Sequence, residues 1–408
     1  MFINNKKMVK SEKKILMKFA WRHNLIYPLQ LLLWSFLRKI FTIIFNKLFH
    51  FQKSFIFTLL MFSGEFLAGL ILYIYQSSFL KNKRCCKSKE LLIYKEKELK
   101  RPDSYFKIIL IIFVLSYSDF IEFILANKYI PKYHKASGSL GIRLVGIMTI
   151  SSALLCNYLL KFPIFRHQFF SLLIIGICFI IIIISEFFFQ DINIFLTYGE
   201  FGFTFLLIIV GHFFNSILDS GEKYVVEYNF IDYFLVLSLE GFFGILITIG
   251  YSFIYSSFNQ LTKIYSEYSG NDFAIIIILF VVYLILCGGR NAFRVVTNKL
   301  YSPMTKSLTD YFLNPIYLIY NYIDGDFVSN GKRNIFYFLI NIILSFILSL
   351  CGIVYNEIII LFFFGLESET HDQIASRSSK FYKTEQSVEM DQFEDKENDL
   401  GNENDIEE

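Results

Sequence analysis

The sequence predicts an all-α polytopic membrane protein, with about ten transmembrane helices arranged as two inverted five-helix repeats. Of its 408 residues, 54% are hydrophobic, and the mean hydropathy is +0.47. The apolar residues recur in blocks of about 20, the length of helix that crosses roughly 30 Å of hydrocarbon. Two of these blocks, five apart in order, carry a glutamate beside a glycine at matching positions.

The blocks give eight clear spans and two weaker ones. The clear spans lie near residues 55–79, 105–126, 136–160, 168–187, 201–218, 230–254, 273–289 and 335–363. A ninth, 304–322, is more polar and contains Pro315. The weakest, 26–48, is interrupted by Arg38 and two lysines. This last block is open to three interpretations: a tilted span, an interfacial amphipathic helix or a wrongly assigned start of the gene.

Charge is segregated along the chain. Residues 1–24 hold seven Lys/Arg, residues 81–101 hold nine, and residues 385–408 hold eleven acidic residues and one lysine. Basic residues favour cytoplasmic loops, so we expect both termini in the cytoplasm. No segment resembles a nucleic-acid-binding module, and nucleic acid is not an expected partner.

These patterns divide the chain into four parts. They are a basic cytoplasmic N-terminus (1–25), a first five-helix repeat with a basic loop (26–187, loop 80–104), a second five-helix repeat (201–363) and an acidic tail (364–408). The tail lacks apolar periodicity, which predicts disorder.

A weak internal repeat supports the division. The second span contains MFSGEFLAGL (61–70), and the seventh contains LSLEGFFGIL (237–246). The fourth begins KASGSLGIR (135–143), and the ninth begins YSPMTKSLTD (301–310). An offset of five spans inverts the second half in the membrane, which is a transporter architecture.

Glu65 and Glu240 are the most informative polar residues. Each lies about ten residues into its span, roughly 15 Å deep at 1.5 Å per residue. A charge at mid-bilayer costs about 2.5–3.5 kcal/mol, so such residues usually face a bundle interior or a water-filled cavity. We favour a polar cavity between the halves; the alternative is a hydrogen bond that only joins helices, with glycine allowing close packing.

Asp119 and Glu122 share a helix face in the third span, and Asp119 is the deeper. Arg143, near the start of the fourth span, has two open interpretations. It pairs with Asp119, or it meets a phosphate of a solute, for which a planar guanidinium is suited.

Further charged residues lie near span ends. Arg290 and Arg294 are four apart, and we interpret them as a cytoplasmic anchor, or else as a point where an anion enters. Lys306 and Asp310 have the spacing of a local ion pair. Glu357 lies near the end of the last span and is expected to be structural.

The sequence lacks catalytic and metal-binding motifs. It contains no HExxH, Walker A, GxSxG or CxxC pattern, so we expect neither an enzyme nor a cofactor or bound metal. The adjacent Cys85 and Cys86 follow a span among lysines. They are candidates for S-palmitoylation, and the alternative is two unmodified thiols.

Several motifs occur in a characteristic order. They are MFSGEF in the second span, SDF in the third, a serine-rich segment before Arg143, GEKYV (221–225), LEGFFG in the seventh, SPMTKSLTD in the ninth and YNEIIIL within 355–370. In these the sequence resembles solute carrier family 35, nucleotide-sugar-transporter-like, of the drug/metabolite transporter superfamily, and is most similar to the subfamily F member-six type. The resemblance covers about residues 42–377.

The resemblance implies two inverted five-helix repeats, cytoplasmic termini and alternating access in a Golgi, endosomal or lysosomal membrane. The first hypothesis is therefore a secondary transporter or exchanger of a small polar solute. Glu65, Asp119, Arg143 and Glu240 would line its cavity, and Lys306 or Arg290 would help to meet phosphates of a nucleotide-sugar.

The second hypothesis is a transport-inactive scaffold or receptor that acts through its cytoplasmic tails. The acidic tail and the basic 81–101 loop motivate it. The expected partners are the lipid bilayer and a small solute, and a homo-oligomer is left open.

Overall fold

The computed structural model describes residues 17–19, 25–49, 54–80, 103–130, 140–141, 143–162, 164–189, 198–255, 270–324, 328–329, 332–361, 365–366, 370 and 373. Within these ranges the chain forms ten α-helices: α1 (Ile26–Phe49), α2 (Ser54–Leu80), α3 (Tyr105–Ile124), α4 (Gly146–Leu160), α5 (Arg166–Phe189), α6 (Tyr198–Tyr228), α7 (Tyr233–Ile254), α8 (Asn271–Leu300), α9 (Pro303–Asp324) and α10 (Ile335–Tyr355). A π-helical turn, Leu125–Tyr129, follows α3 directly.

Within the same described ranges, four short strands form two antiparallel pairs. β1 (Met17–Phe19) pairs with β4 (Ile359–Leu361), and β2 (Val328–Ser329) pairs with β3 (Lys332–Arg333). The first pair joins the segment before α1 to the segment after α10. These two segments therefore lie at the same end of the bundle.

Seven of the described helices are long and apolar enough to cross a membrane: α1, α2, α5, α6, α7, α8 and α10. The composition is that of an all-α membrane protein, but the prediction of ten such spans is wrong. α3 carries Lys107, Asp119 and Glu122 within 20 residues, and α4 has only 15 residues. α9 is interrupted by polar residues that include Lys306 and Asp310.

Side-chain caps set the starts of three helices. Asp232 accepts hydrogen bonds from the backbone N–H groups of Phe234 and Leu235, at 2.9 and 3.4 Å, where α7 begins. Ser104 and Asn334 cap α3 and α10 in the same way. A capping oxygen satisfies backbone donors that the helix leaves unpaired, so the local sequence fixes these boundaries.

Four helices differ from the apolar blocks that predicted them, and one of these is α10, which ends at Tyr355 rather than near 363. α6 continues to Tyr228 rather than ending near 218, and α8 continues to Leu300 rather than ending near 289. α4 begins at Gly146 rather than near 136. Residues 290–303, which separate the predicted spans 273–289 and 304–322, are thus mostly helix, and Arg290 and Arg294 are not loop charges. Hydropathy ends a span at the first polar residues, whereas here those residues face one another inside the bundle.

α2 and α7 cross with their backbones in direct contact. A Cβ added at Gly241 would lie 2.3 Å from the amide nitrogen of Phe66, and one at Gly69 would lie 2.5 Å from that of Ser238. On another side of α2, a Cβ at Gly64 would lie 2.5 Å from a backbone oxygen of α8. Small residues permit this approach where there is no water to drive helix association.

The remaining helices pack around this central crossing. α8 lies against α1 and α2, and α3 lies against α6 and α7. α4 packs on α6, α9 packs on α1, and α5 and α10 pack on each other. α4 also meets α9, where the hydroxyls of Thr149 and Tyr311 form a hydrogen bond. The result places α2, α3, α6, α7 and α8 around one interior region.

Gly241→Ala should destabilise the protein, because the added methyl group displaces the backbone of α2. Overpacking of this kind costs about 1–3 kcal/mol. The free energy of unfolding in detergent, followed by heat or denaturant, measures the effect. Gly250→Ala on the same helix is the matched control, since no atom lies within 4 Å of its added Cβ. Equal stability of the two variants would contradict the close crossing.

Candidate functional site

A guanidinium surrounded by four carboxylates lies inside the bundle. Arg294, on α8, is 1% exposed, and its Nη2 lies 2.6 Å from Glu222 Oε1 and 3.3 Å from Glu240 Oε2. Its Nη1 lies 3.6 Å from Asp119 Oδ2 and 3.9 Å from Glu65 Oε1. The carboxylates come from α6, α7, α3 and α2, so five helices meet here. We call these five side chains the Arg294 cluster.

Two amides of α8 hold carboxylates of the cluster in place. Asn291 Nδ2 donates to Glu65 Oε1, and Asn298 Nδ2 donates to Glu222 Oε2 at 2.7 Å. Both asparagines are buried. Asn291, Arg294 and Asn298 are three and four residues apart, a spacing that puts them on one helix face. One face of α8 therefore supplies both the charge and the neutral donors.

A second cation lies next to the cluster. Lys306 Nζ, on α9, donates to Asp219 Oδ2 and to Asn215 Oδ1, each at 2.7 Å. Asp219 also accepts a hydrogen bond from Asn298 at 3.2 Å, which joins Lys306 to the Arg294 cluster. The sequence spacing predicted an ion pair between Lys306 and Asp310. That prediction is wrong, because α6 supplies a closer carboxylate.

The cluster carries more acid than base. Four ionised carboxylates and one guanidinium would give a formal charge of −3, four negative charges less one positive. Within the described part of the chain, Glu65 Oε2 and Glu240 Oε1 are buried and accept no hydrogen bond. A buried charge without a partner is strongly unfavourable. The arrangement therefore suits the uptake of a proton or of a small cationic group.

Among the residues that the structure describes, no group of three or more His, Cys, Asp and Glu side chains has a metal-binding arrangement.

Half-buried charged side chains flank the cluster. They come from four helices: Arg38 on α1, Glu122 on α3, Arg290 on α8 and Asp310 on α9. Arg290 lies within electrostatic range of Arg38, Arg294 and Asp310. The deeply buried charges of the Arg294 cluster and the partly accessible charges around it are therefore neighbours.

Arg143 lies apart from the Arg294 cluster. Its guanidinium pairs with both carboxylate oxygens of Glu186 on α5, the longer contact being 3.2 Å. It also donates to the hydroxyl of Tyr337 on α10 at 2.6 Å, and that hydroxyl donates to Glu186. The predicted pairing with Asp119 is wrong, because Asp119 lies beside Arg294. Arg143 joins α5 to α10 near one end of the bundle.

A second contact joins the same two helices near their other end. His167 Nε2, at the start of α5, lies 2.9 Å from Glu357 Oε1, just after α10. Glu357 is buried, and its backbone φ is +55°. His167 is thus the specific partner of Glu357, for which the sequence predicted a structural role.

The structure brings together only part of the predicted site. Glu65, Asp119 and Glu240 meet in the Arg294 cluster, and Lys306 is linked to it. Arg290 and Asp310 lie beside it, half-buried. Cys85 and Cys86 lie outside the described residues, and their lipidation stays a prediction.

Sequence reasoning missed the residues that organise the site. Arg294 was interpreted as an anchor or as a point where an anion enters, and its burial contradicts both. Asp219 and Glu222 were placed after a span, although they belong to α6. Their spacing was the available signal. Two polar residues three apart, directly after an apolar run, lie on one face if the helix continues through them.

Arg294→Gln should destabilise the protein by about 3–5 kcal/mol, because it leaves buried carboxylates without their cation. Removing a carboxylate in addition, as Arg294→Gln with Glu222→Gln, should restore part of that loss. Unfolding in detergent measures both. Lys107→Gln is the control, since this exposed lysine pairs with Asp103 at the surface, where an ion pair contributes about 0–1 kcal/mol. Additive losses in the double variant would contradict a shared cluster.

Neither a family model nor a curated protein matches this chain. The resemblance to solute carrier family 35 therefore stays a prediction from the motifs.

Proposed function

We propose that this protein is a secondary transporter or exchanger of a small polar solute, working by alternating access. The observation that carries the proposal is the Arg294 cluster. It places five charged side chains in the interior of an apolar helical bundle. Ionisable groups at such positions are expensive and usually mark a solute or ion pathway.

The packing of the helices supports two related halves, α1–α5 and α6–α10. Shifting each helix number by five turns the α3–α6 contact into α8–α1, and the α2–α8 contact into α7–α3. The same shift turns α4–α6 into α9–α1 and α4–α5 into α9–α10. The α2–α7 and α5–α10 contacts map onto themselves, as contacts on a pseudo-two-fold axis would. An inverted repeat of this kind favours rocking of one half against the other.

The Arg294 cluster lies across the boundary between these halves. Arg294, Glu222 and Glu240 belong to the second half, whereas Glu65 and Asp119 belong to the first. A rocking motion changes the distances between the two sets of charges. A solute or proton that alters the charge of the cluster would then favour one orientation, which is how binding drives a two-state transition.

The pairing of β1 with β4 supports termini on the same side of the membrane. The positive-inside pattern makes that side cytoplasmic. We further propose membership of the solute carrier 35 group and an endomembrane location, both on the order of the motifs.

Glu65→Gln and Glu240→Gln should each lower the initial transport rate by roughly tenfold, or about 1.4 kcal/mol in barrier. Glutamine keeps the size of the side chain and removes one of several competing negative charges, so folding should be retained. The measurement is exchange of radiolabelled nucleotide-sugars, nucleoside monophosphates, sugar phosphates and organic cations in proteoliposomes.

Asp272→Asn, at an exposed position in the first turn of α8, is the control and should transport like the wild type. Wild-type rates in both glutamate variants would count against the cluster. Absence of exchange for every solute, in protein that folds, would favour the scaffold hypothesis instead.

A further inference from the structure

Two carboxyl groups of the Arg294 cluster lie in direct contact with each other. A hydrogen bond between side chains joins Glu222 on α6 to Glu240 on α7. Both groups also contact the same atom, Arg294 Nη2, at 2.6 and 3.3 Å. Because an ionised carboxylate has no hydrogen to donate, two carboxyl groups form such a bond only when one of them carries a proton.

The other hydrogen bonds of this pair indicate which oxygen holds the proton. Glu222 accepts from Arg294 at Oε1 and from Asn298 at Oε2, at 2.6 and 2.7 Å. Glu240 accepts from Arg294 at Oε2, whereas its Oε1 is buried and has no donor within the described residues. Donors at both oxygens stabilise the ionised form of a carboxyl group, so Glu222 is the ionised member. Glu240 Oε1 is the atom that fits the proton.

The charges around the pair oppose the ionisation of both members. Glu65 on α2 and Asp219 on α6 act on the pair electrostatically, and Asp119 on α3 competes for Arg294. Lys306 on α9 is held by Asp219. Like charges at close range repel one another, and the uptake of a proton by one of them relieves the repulsion.

Neighbouring polar groups have partners of their own. The hydroxyl of Ser116 on α3 donates to the backbone oxygen of Glu240 at 2.8 Å. On the side of α4, the thiol of Cys156 meets Ser220. Lys223 pairs with Glu227 and donates to backbone oxygens at the end of α8. Within the described part of the chain, Arg294 is therefore the one cation in ion-pair contact with either member of the pair.

We propose that Glu222 and Glu240 share one proton and that this proton is the ion coupled to transport. This inference rests on the proposed transport function, to which it adds the coupling ion. Binding moves a proton from water to Glu240 Oε1. Release returns it to water and leaves two carboxylates against one guanidinium, with no other bond changed.

The position of the pair couples its proton to the motion of the two halves. Glu222, Glu240 and Arg294 belong to the second half, whereas the first half contributes two acidic groups, Glu65 and Asp119. These lie 3.9 and 3.6 Å from Arg294. Bringing the halves together adds negative charge beside the pair and favours the bound proton, and moving them apart favours its release. The proton thus binds this arrangement more tightly than one in which the halves have separated, which makes it a driver of the transition.

The test is infrared spectroscopy of the detergent-purified full chain, titrated from acidic to neutral pH. A protonated carboxyl group has a C=O stretching band separate from those of carboxylates and amides. In the wild type this band should persist at neutral pH, after the exposed carboxyl groups have ionised. Glu240→Gln should remove it. Asp272→Asn, at an exposed position in the first turn of α8, should leave it unchanged.

Glu222→Gln separates a shared proton from one that Glu240 holds alone. Without its carboxylate neighbour, Glu240 becomes the nearest counter-ion of Arg294 and should ionise, so this variant should also lose the band. A band that persists in Glu222→Gln would contradict the sharing. Glu65→Gln should keep the band, because Glu65 is joined to Asn291 rather than to the pair. Its loss in that variant alone would assign the proton to Glu65 and overturn the proposal.

The pH dependence of unfolding in detergent gives a second measurement. An unfolded glutamate is ionised at neutral pH, so a folded state with protonated Glu240 holds one proton more than the unfolded state. Its stability should fall as pH rises, by up to about tenfold in the folding equilibrium constant per pH unit, until the folded group ionises as well. Glu240→Gln should lack this part of the pH dependence. Glutamine is the neutral isostere of the protonated side chain, so a variant that fails to fold where the wild type folds would also overturn the proposal.

Transport in proteoliposomes measures the coupling. An imposed pH gradient should change the initial uptake of the same panel of labelled solutes several-fold in the wild type, and it should not affect the remaining uptake by Glu240→Gln. Exchange that ignores the gradient in the wild type, or the absence of a persistent carboxyl band, would overturn this inference and leave the transport function standing. A persistent band without exchange of any solute would overturn the transport function and the coupling, and would leave the shared proton standing.

Discussion

The buried contact between Arg294 and four carboxylates is the constraint on which the rest of the bundle depends. In an interior of low dielectric a charge without a partner is strongly unfavourable. Five helices must therefore meet at one point, and their relative positions follow from it. The asparagines of α8 fix the orientation of the carboxylates, and Lys306 draws α9 toward the same centre through Asp219. In a bundle held only by apolar contacts, each helix could rotate more freely about its own axis.

Close backbone contact makes this meeting possible. Glycines on α2 and α7 remove the side chains that would hold the two helices apart, and a glycine of α2 also faces α8. Glu65 and Glu240 lie next to these glycines in sequence, so close packing and charge are placed together. The same short motif thus supplies both the crossing and two of the carboxylates. This accounts for its presence in two spans that contact each other.

The charged side chains of the interior differ in their exposure to solvent. The Arg294 cluster is buried and internally paired, whereas Arg38, Glu122, Arg290 and Asp310 are half-buried and lie around it. Elsewhere in the bundle, α5 contacts α10 and the segment that follows it near each end.

The sequence by itself determined the class of protein, the existence of most helices and the three acidic residues at the centre. Block length, helical spacing and the cost of a charge in hydrocarbon are local properties, so they can be read from the chain. It did not determine the ends of α6 and α8, the partner of Arg143 or the role of Arg294. Those depend on which polar faces meet, and a contact between residues far apart in sequence leaves no local pattern. Only the packed bundle decides whether a polar residue at a span end faces water or another charge.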